Sequence, residues 1–583
     1  MNKEQVAHIF TEIATLLELK GENPFKTRAY VNAARTLESL HEPLEKLVAE
    51  ERLAEVKGIG EALQKKITEM VRTGRLEYYE QLSATIPPGL FEMLAVPGLG
   101  PKKVKALYDQ LGIHTLDQLE AACKEGTVAA LAGFGDKTQA KICEGINFRR
   151  SYASFHRLAD VLVLAEPILE ALRSFPDVIR CSTAGSVRRF KEIIGDLDFL
   201  ASSKNPGAIM DLFTTLPGVS SVQARGDTKA TVLLNNGVQA DLRVVSDLEF
   251  PYALAYFTGS KEHNVVMRQR AIERGLRLNE YGLYRSATET RDRALLVQCR
   301  TEEDIYHALD LPYVPPELRE DRGEFAPTAE IPKLLEWTDL RGSLHNHSNW
   351  SDGHCSLSEI ATHMADLGLG YWAITDHSKS SVQANGLTAE RVRAQLLEVR
   401  AVNHRLRDEG VDFRLLTGTE VDILADGSLD FDNGLLQELE VVVASIHQGF
   451  SRGEAETTKR LIKAAANPFV HILGHPTGRL LLEREAYPVN QEAVIDACAE
   501  TGTWIELNAS PHRLDLDWRL WRYAKERGVK CVINCDAHRN EHAGFLRLGA
   551  GVARKGWLTR DNVINTLPLE RLLGELRKKR ARG

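Results

Sequence analysis

From residue 336 onward, short apolar runs recur with helical segments between them, and nearly every run stops at a histidine or an acid. The runs are DLRGSLH, YWAITDH, RLLTGTEVDI, EVVVASIH, VHILGH, TWIELNAS and KCVINCDAH. Seven strands alternating with helices predict a parallel α/β barrel, a fold that places its chemistry where strands end. At or just beyond those ends stand His345, His347, Asp352, His377, Glu420, His447, His475, Asp536 and His538. Imidazoles mixed with carboxylates form a ligand set for Zn2+ or Mn2+. The set is too large for one ion, so up to three ions around a bridging Glu420 is the economical arrangement. Twelve of the 18 histidines follow residue 335. His354, His363, His404, His471, His512 and His542 are expected to be structural. His471 lies four residues before His475 in the same run, and only His475 reaches the strand end.

The rest of the chain sets this half in context. Its 583 residues suggest about four domains, with 43% hydrophobic and 26% charged content, as in an ordinary globular protein. No apolar run approaches the ~18 residues that span a bilayer. MNKEQVAHIFTEIATLLEL reads as an amphipathic helix rather than a signal peptide. The eight cysteines stand singly and fit a reducing cytoplasm. A net charge of -8 gives no sign of nucleic acid, so any DNA-binding surface has to be a local patch.

In AGSVRRFKEIIGDLDFL (184–200), Asp196 and Asp198 are two apart in a strand-like stretch and share one face. Asp241, in VQADLRVV, is the expected third carboxylate from a neighbouring strand. Such a cluster suits two Mg2+ ions for phosphoryl transfer to a 3′-hydroxyl. Gly185 and Ser186 at a strand-to-helix turn, with Arg189, can take β- and γ-phosphate oxygens.

Residues 1 to about 150 read as short helices broken by glycines. EVKGIGEALQKKI and AVPGLGPKKVKAL share a Gly-x-Gly turn between helices: Gly58 and Gly60, then Gly98 and Gly100. Helix-start amides after such turns can hold a phosphate, and Lys102, Lys103 and Lys105 add charge to the second. Both resemble the helix-hairpin-helix motif, which grips DNA backbone without reading sequence. AGFGDKTQAKI (132–142) is a weaker third copy.

The GS, RR and GDLD spacing resembles the palm of family X DNA polymerases, and YFTGSKEHNVVMR (256–268) extends the resemblance. It implies a sugar pocket at Tyr256 and Phe257. Asn264 and Arg268 would contact nucleotide and template, and Gly259 would also belong to the nucleotide site. Lys261, Glu262 and His263 depart from vertebrate members, as does Gln239, which stands where an arginine is usual. Residues 24–35 and 55–76 resemble the family's lyase domain, which puts Lys66 at the Schiff-base position with Lys26 and Tyr30 nearby. Alternatively, Lys65 and Lys66 form a solvated helix face. The C-terminal half resembles the polymerase-and-histidinol-phosphatase (PHP) domain. That resemblance gives one ion to His345, His347, Glu420 and Asp536, a second to Asp352, His377 and His538, and a third to Glu420, His447 and His475. Lys379 and Arg479 are candidate phosphate contacts, and Arg513 is a weaker one.

The expected fold is therefore multidomain, α+β and α/β. It comprises a lyase-like helix-hairpin-helix domain (1–85), a second helix-hairpin-helix domain (86–150), a nucleotidyltransferase palm (151–250), a thumb-type domain (251–317), a linker (318–335) and a distorted (β/α)7 PHP barrel (336–575). The implied protein is a monomeric gap-filling DNA polymerase that takes dNTPs and gapped or primer-template DNA and has no membrane partner. Its PHP half would be a 3′-5′ exonuclease, abasic-site endonuclease or 3′-phosphoesterase. One alternative is chiefly a nuclease whose first half only holds DNA, a reading Gln239 favours. Another is a small-molecule phosphoesterase, and a third a non-enzymatic DNA-end scaffold.

Overall fold

The computed structural model describes residues 1–38, 40, 42–286, 288, 291–326 and 330–580. Residues 39, 41, 287, 289, 290 and 327–329, which fall in the expected lyase-like domain, thumb and linker, and residues 581–583 lie outside the described residues. The chain divides into two compact units, Met1–Ala153 and Ser154–Gly583.

The first unit is helical around its own core of residues such as Phe10, Leu37, Met70, Met93 and Leu107. Its glycines do what the pattern requires. Gly58 and Gly98 take φ of 97° and 85°, the left-handed region open to glycine. Gly60 and Gly100 then cap the helices Glu61–Thr73 and Pro101–Leu111. The third copy shares only the first glycine's conformation, Gly133 at φ 86°; there Phe134 is the N-cap, and Gly135, at φ 65°, begins the helix Gly135–Tyr152.

In the second unit a five-stranded sheet runs in the order Val178–Thr183, Asp196–Ser203, Gln239–Val245, Lys229–Leu234, Val219–Arg225. The second and third of these are parallel neighbours, and the other pairs are antiparallel. The helix Leu158–Ser174 contributes Leu158, Val161, Ala165 and Leu172 to the core that includes this sheet's Leu197 and Phe199. The helices Phe250–Thr258 and Lys261–Glu273 follow, and then a short hairpin, Arg277–Asn279 with Gly282–Tyr284.

All seven expected barrel strands form: Gly342–Ser343, Tyr371–Ile374, Arg414–Asp422, Val441–Ser445, Ile472–Leu473, Trp504–Asn508 and Cys531–Asn534, paired in sequence order and parallel throughout. Their side chains are almost all buried, as expected of strands covered on both faces. Contacts between first and last strand nearly close the barrel: Asp536 N donates to His345 O (3.0 Å) and His347 N to Ala537 O (2.8 Å).

The segment expected as a linker is packed over its described part. Arg319 is fully buried and donates to Glu302 (2.6 Å) and to the Val314 carbonyl (2.9 Å). Glu324 is buried and accepts from His263 (2.9 Å) and from the Asp321 and Arg322 amides. These charges of the expected linker thus have partners in the folded protein.

Candidate active sites

The strand pairing that sets Asp198 directly opposite Asp241 assembles the first site. Asp196 and Asp198 line a cavity of about 410 Å³ together with Gly185, Ser186, Arg189, Tyr256, Phe257, Gly259, Asn264 and Arg268. Every residue expected at the nucleotide site is in this lining, with Lys261 in addition. Gly185 has φ 57°, and a Cβ there would lie 2.1 Å from Asp198 Oδ2, so only glycine allows the turn to approach the carboxylate. Burial, then the charges of Asp196 and Asp241, push the Asp198 carboxyl up to about 7. Burial and Asp241 raise Asp196 as well. Crowded buried carboxylates of this kind fit divalent cations. Gln239 Nε2 stands 3.4 Å from Asp241 Oδ1, while Lys229 Nζ lies 2.7 Å from Oδ2. A positive charge thus stands beside Asp241 from the adjacent strand.

The second site is at the carboxyl ends of the barrel strands. Glu420, 1% exposed, lies at its centre. Its Oε1 approaches His345 (3.3 Å), His447 (3.2 Å) and His475 (2.9 Å), and its Oε2 approaches His377 (2.8 Å) and His347 (3.8 Å). His347 Nε2 is 3.1 Å from Asp536 Oδ1, and Asp352 Oδ2 is 3.5 Å from both His377 and His538. Four overlapping donor groups are close enough to hold ions: His347, Asp352, His377 and His538; His345, His347 and Asp536; His345, Glu420 and His475; His377, Glu420 and His447. This brings all nine expected ligands together. It differs from the expected partition in adding His347 to the Asp352 group, in leaving Glu420 out of the His345, His347 and Asp536 group, and in dividing His475 and His447 between His345 and His377.

His345 Nε2, His347 Nδ1 and Glu420 Oε2 are buried without hydrogen-bond partners, which is costly unless a cation completes them. Burial alone would raise the Glu420 carboxyl, but His447, His345 and His377 outweigh it and hold it well below its usual range. The donor set and its charge therefore fit divalent metal.

Three acids that the strand-end reading passed over orient these ligands. Glu506 is fully buried and accepts from His345 Nδ1 (2.7 Å), His475 N (2.6 Å), Asn508 (3.1 Å) and Asn534 (2.9 Å), so His345 presents Nε2 to the cluster. Asp422 accepts from His447 Nδ1 and from Ser380 (2.6 Å) and Ser381 (2.8 Å). Asp376 takes hydrogen bonds from Ser348, Ser351 and Gln395 and fixes the turn that carries Asp352. TDH and EVD did contain two of these acids; Glu506, inside an apolar run, gave no pattern.

The expected phosphate contacts differ in their surroundings. Arg479 is committed to the Arg513 and Leu514 carbonyls and to Asp517 (2.8 Å), with its side chain 13% exposed. Arg513 instead reaches the cluster, with Nε 3.5 Å from Asp536 Oδ2. Lys379 is exposed two residues beyond His377. His471 is buried in the core and accepts from Val442 N (3.1 Å).

Within the first unit the two lysines at the expected lyase position differ. Lys65 is 75% exposed and pairs with Glu61 (2.8 Å). Lys66 Nζ lies 3.7 Å from the centre of the Tyr78 ring, which also stacks on Tyr30 and faces Lys26 at 5.8 Å. Burial, with help from Lys26, lowers the Lys66 amine against the pull of Glu69.

Four family descriptions match the chain: a helix-hairpin-helix domain over residues 1–76, a SAM-like helix-hairpin-helix tandem over 91–147, the DNA polymerase beta thumb over 253–320 and the PHP domain over 343–510. The DNA polymerase/3′-5′ exonuclease PolX of Bacillus subtilis (strain 168) is 39% identical over 572 residues, 98% of each chain. DNA polymerase lambda of Rattus norvegicus is 24% identical over 54% of this chain and 56% of its own length. A probable phosphatase of Thermoanaerobacter sp. (strain X514) is 31% identical over 38% of this chain and 89% of its own.

Proposed function

Because the chain belongs to the family X DNA polymerases that carry a C-terminal PHP domain, we propose that it fills short gaps in damaged DNA and cleans 3′ ends with the barrel. The observation that carries the polymerase reading is that Asp196 and Asp198, with Asp241 paired opposite Asp198, line a cavity together with Ser186, Arg189, Tyr256, Asn264 and Arg268. These carboxylates would hold two Mg2+ ions, whose charge would favour ionisation of a primer 3′-hydroxyl and offset that of a triphosphate. Gly185 lets the helix-start amides approach the phosphates, and Arg189 adds a charged donor. Tyr256 and Phe257 bound the sugar, while Asn264 and Arg268 contact nucleotide and template. Lys229 beside Asp241 supports an active polymerase half over a mere DNA holder.

In the barrel, Glu420, the surrounding histidines, Asp352 and Asp536 would hold up to three Mn2+ or Zn2+ ions. Bound there, such ions would supply Lewis-acid charge for phosphoester cleavage. Glu506 and Asp422 keep His345 and His447 in the ligating tautomer, and Arg513, beside Asp536, is the candidate contact for a scissile phosphate. Gly58, Gly60, Gly98, Gly100, Lys102 and Lys103 grip the DNA backbone, and Lys66 is the candidate lyase nucleophile. The protein works as a cytoplasmic monomer. Among the described residues, no helix is long and apolar enough to cross a membrane.

A one-nucleotide gap with a 3′-phosphate on the primer tests the division of labour. With Mn2+ and the matching dNTP, wild type unblocks and extends the primer. His345→Ala extends only a 3′-hydroxyl primer, and extension of the blocked primer by that variant would overturn the proposal.

A further inference from the structure

The turn that carries Arg189 is gripped from the barrel side. The helix Phe545–Lys555 presents Gly551 and Lys555, one turn apart and on one face. The Phe190 ring lies against Gly551 so closely that a Cβ there would be 2.0 Å from Phe190 Cε1. Lys555 is fully buried, and its Nζ donates to the Arg189 carbonyl (2.9 Å), the Glu317 carbonyl (3.2 Å) and Glu320 Oε1 (2.6 Å). The same Glu320 oxygen accepts from Arg189 Nε (3.1 Å), and Arg189 NH1 donates to the Thr258 carbonyl beside Gly259. Trp518 closes the site, its ring 4.4 Å from Lys555 Nζ and its Nε1 donating to Glu192 (2.9 Å).

One ammonium therefore holds both ends of Arg189: its backbone directly, and its guanidinium through Glu320. A lone buried lysine would be costly; here its donors are spent on the polymerase half. We propose that Lys555 and Gly551 of the barrel domain are positioning residues of the polymerase, clamping Arg189 so that nucleotide affinity depends on the C-terminal domain. This rests on the reading of Arg189 as a triphosphate contact. Free of the clamp, Arg189 has to be ordered by the incoming nucleotide, which weakens binding while leaving the chemical step intact.

The test is single-turnover incorporation into a one-nucleotide gap by the full-length enzyme, with apparent dNTP affinity and maximal rate measured separately. Lys555→Met and Gly551→Ala are expected to weaken dNTP binding about 10-fold and to change the maximal rate less than about 2-fold. Glu320→Gln keeps the shape of the contact and removes its charge, and is expected to weaken binding in the same direction. Exonuclease activity reports folding, and where Lys555→Met loses it, Glu320→Gln and Gly551→Ala decide. Arg189→Ala separates the two claims. If it leaves dNTP affinity unchanged, the triphosphate assignment falls. If it weakens affinity while Gly551→Ala and Glu320→Gln do not, or if maximal rate falls instead of affinity, the clamp is overturned.

Discussion

At Gly185 the sequence rule and the geometry meet: a methyl group would overlap the Asp198 carboxylate at 2.1 Å, on a backbone with φ 57°. Gly185→Ala is expected to displace that carboxylate and to lower polymerase turnover at least about 100-fold, the scale of an ångström misplacement, while exonuclease activity is retained. Glu506 makes the matching prediction for the barrel. It fills both its oxygens with ligand-orienting donors, so Glu506→Gln should cost roughly 10- to 100-fold in metal affinity. Metal content after dialysis against a graded chelator reads this, with gap filling on a 3′-hydroxyl primer unaffected. These residues also mark the limit of what the sequence could say. Asp196 and Asp198, two apart in a strand, announce a shared face. Glu506 lies within TWIELNAS, where nothing distinguishes an acid aimed at His345 from one at a strand surface. Arg479 and Arg513 both neighbour ligand motifs, and only the folded loop shows that the first is consumed by carbonyls while the second reaches Asp536.

At the scale of elements, the seven barrel strands were legible because parallel strands buried on both faces are continuous apolar runs, and each hairpin because Gly-x-Gly leaves few alternatives. The packing of residues 318–335 was not, since that stretch read as a linker. Its charges pair with the rest of the fold: Arg319 with Glu302, which also takes Arg188, Glu320 with Arg189 and Lys555, and Glu324 with His263. Burial raises the Glu302 carboxyl, but Arg319 and Arg188 more than offset this and bring it from 4.5 down to about 2. A depressed acid stabilises the fold above its ordinary value. The contribution is therefore full at neutral pH and lost as pH falls from about 4.5 toward 2. Glu302→Ala leaves Arg319 buried without its partner and is expected to cost about 3–5 kcal/mol at pH 7, read as a lower melting temperature that converges on wild type in acid. In the helical unit, Lys66 is set apart from Lys65 by the Tyr78 ring. Borohydride should trap the protein on a 5′-deoxyribose-phosphate end in wild type and Lys65→Ala but not in Lys66→Ala. Trapping in all three would remove Lys66 from that role.

For the whole molecule, one chain carries two metal-dependent sites built on opposite principles. The first gathers three carboxylates on adjacent strands of an open sheet, and the second gathers six histidines, two aspartates and a central glutamate at a barrel mouth. Their donor sets share no residue, so each is expected to fail alone. The most direct measurement runs a labelled primer beside a short gap with Mn2+ and all four dNTPs, using wild type, Asp198→Ala and His345→Ala. Two independent sites predict that Asp198→Ala shortens the primer and never extends it, and that His345→Ala extends it and never shortens it. Loss of both activities in either variant, or extension surviving in Asp198→Ala, would contradict the account.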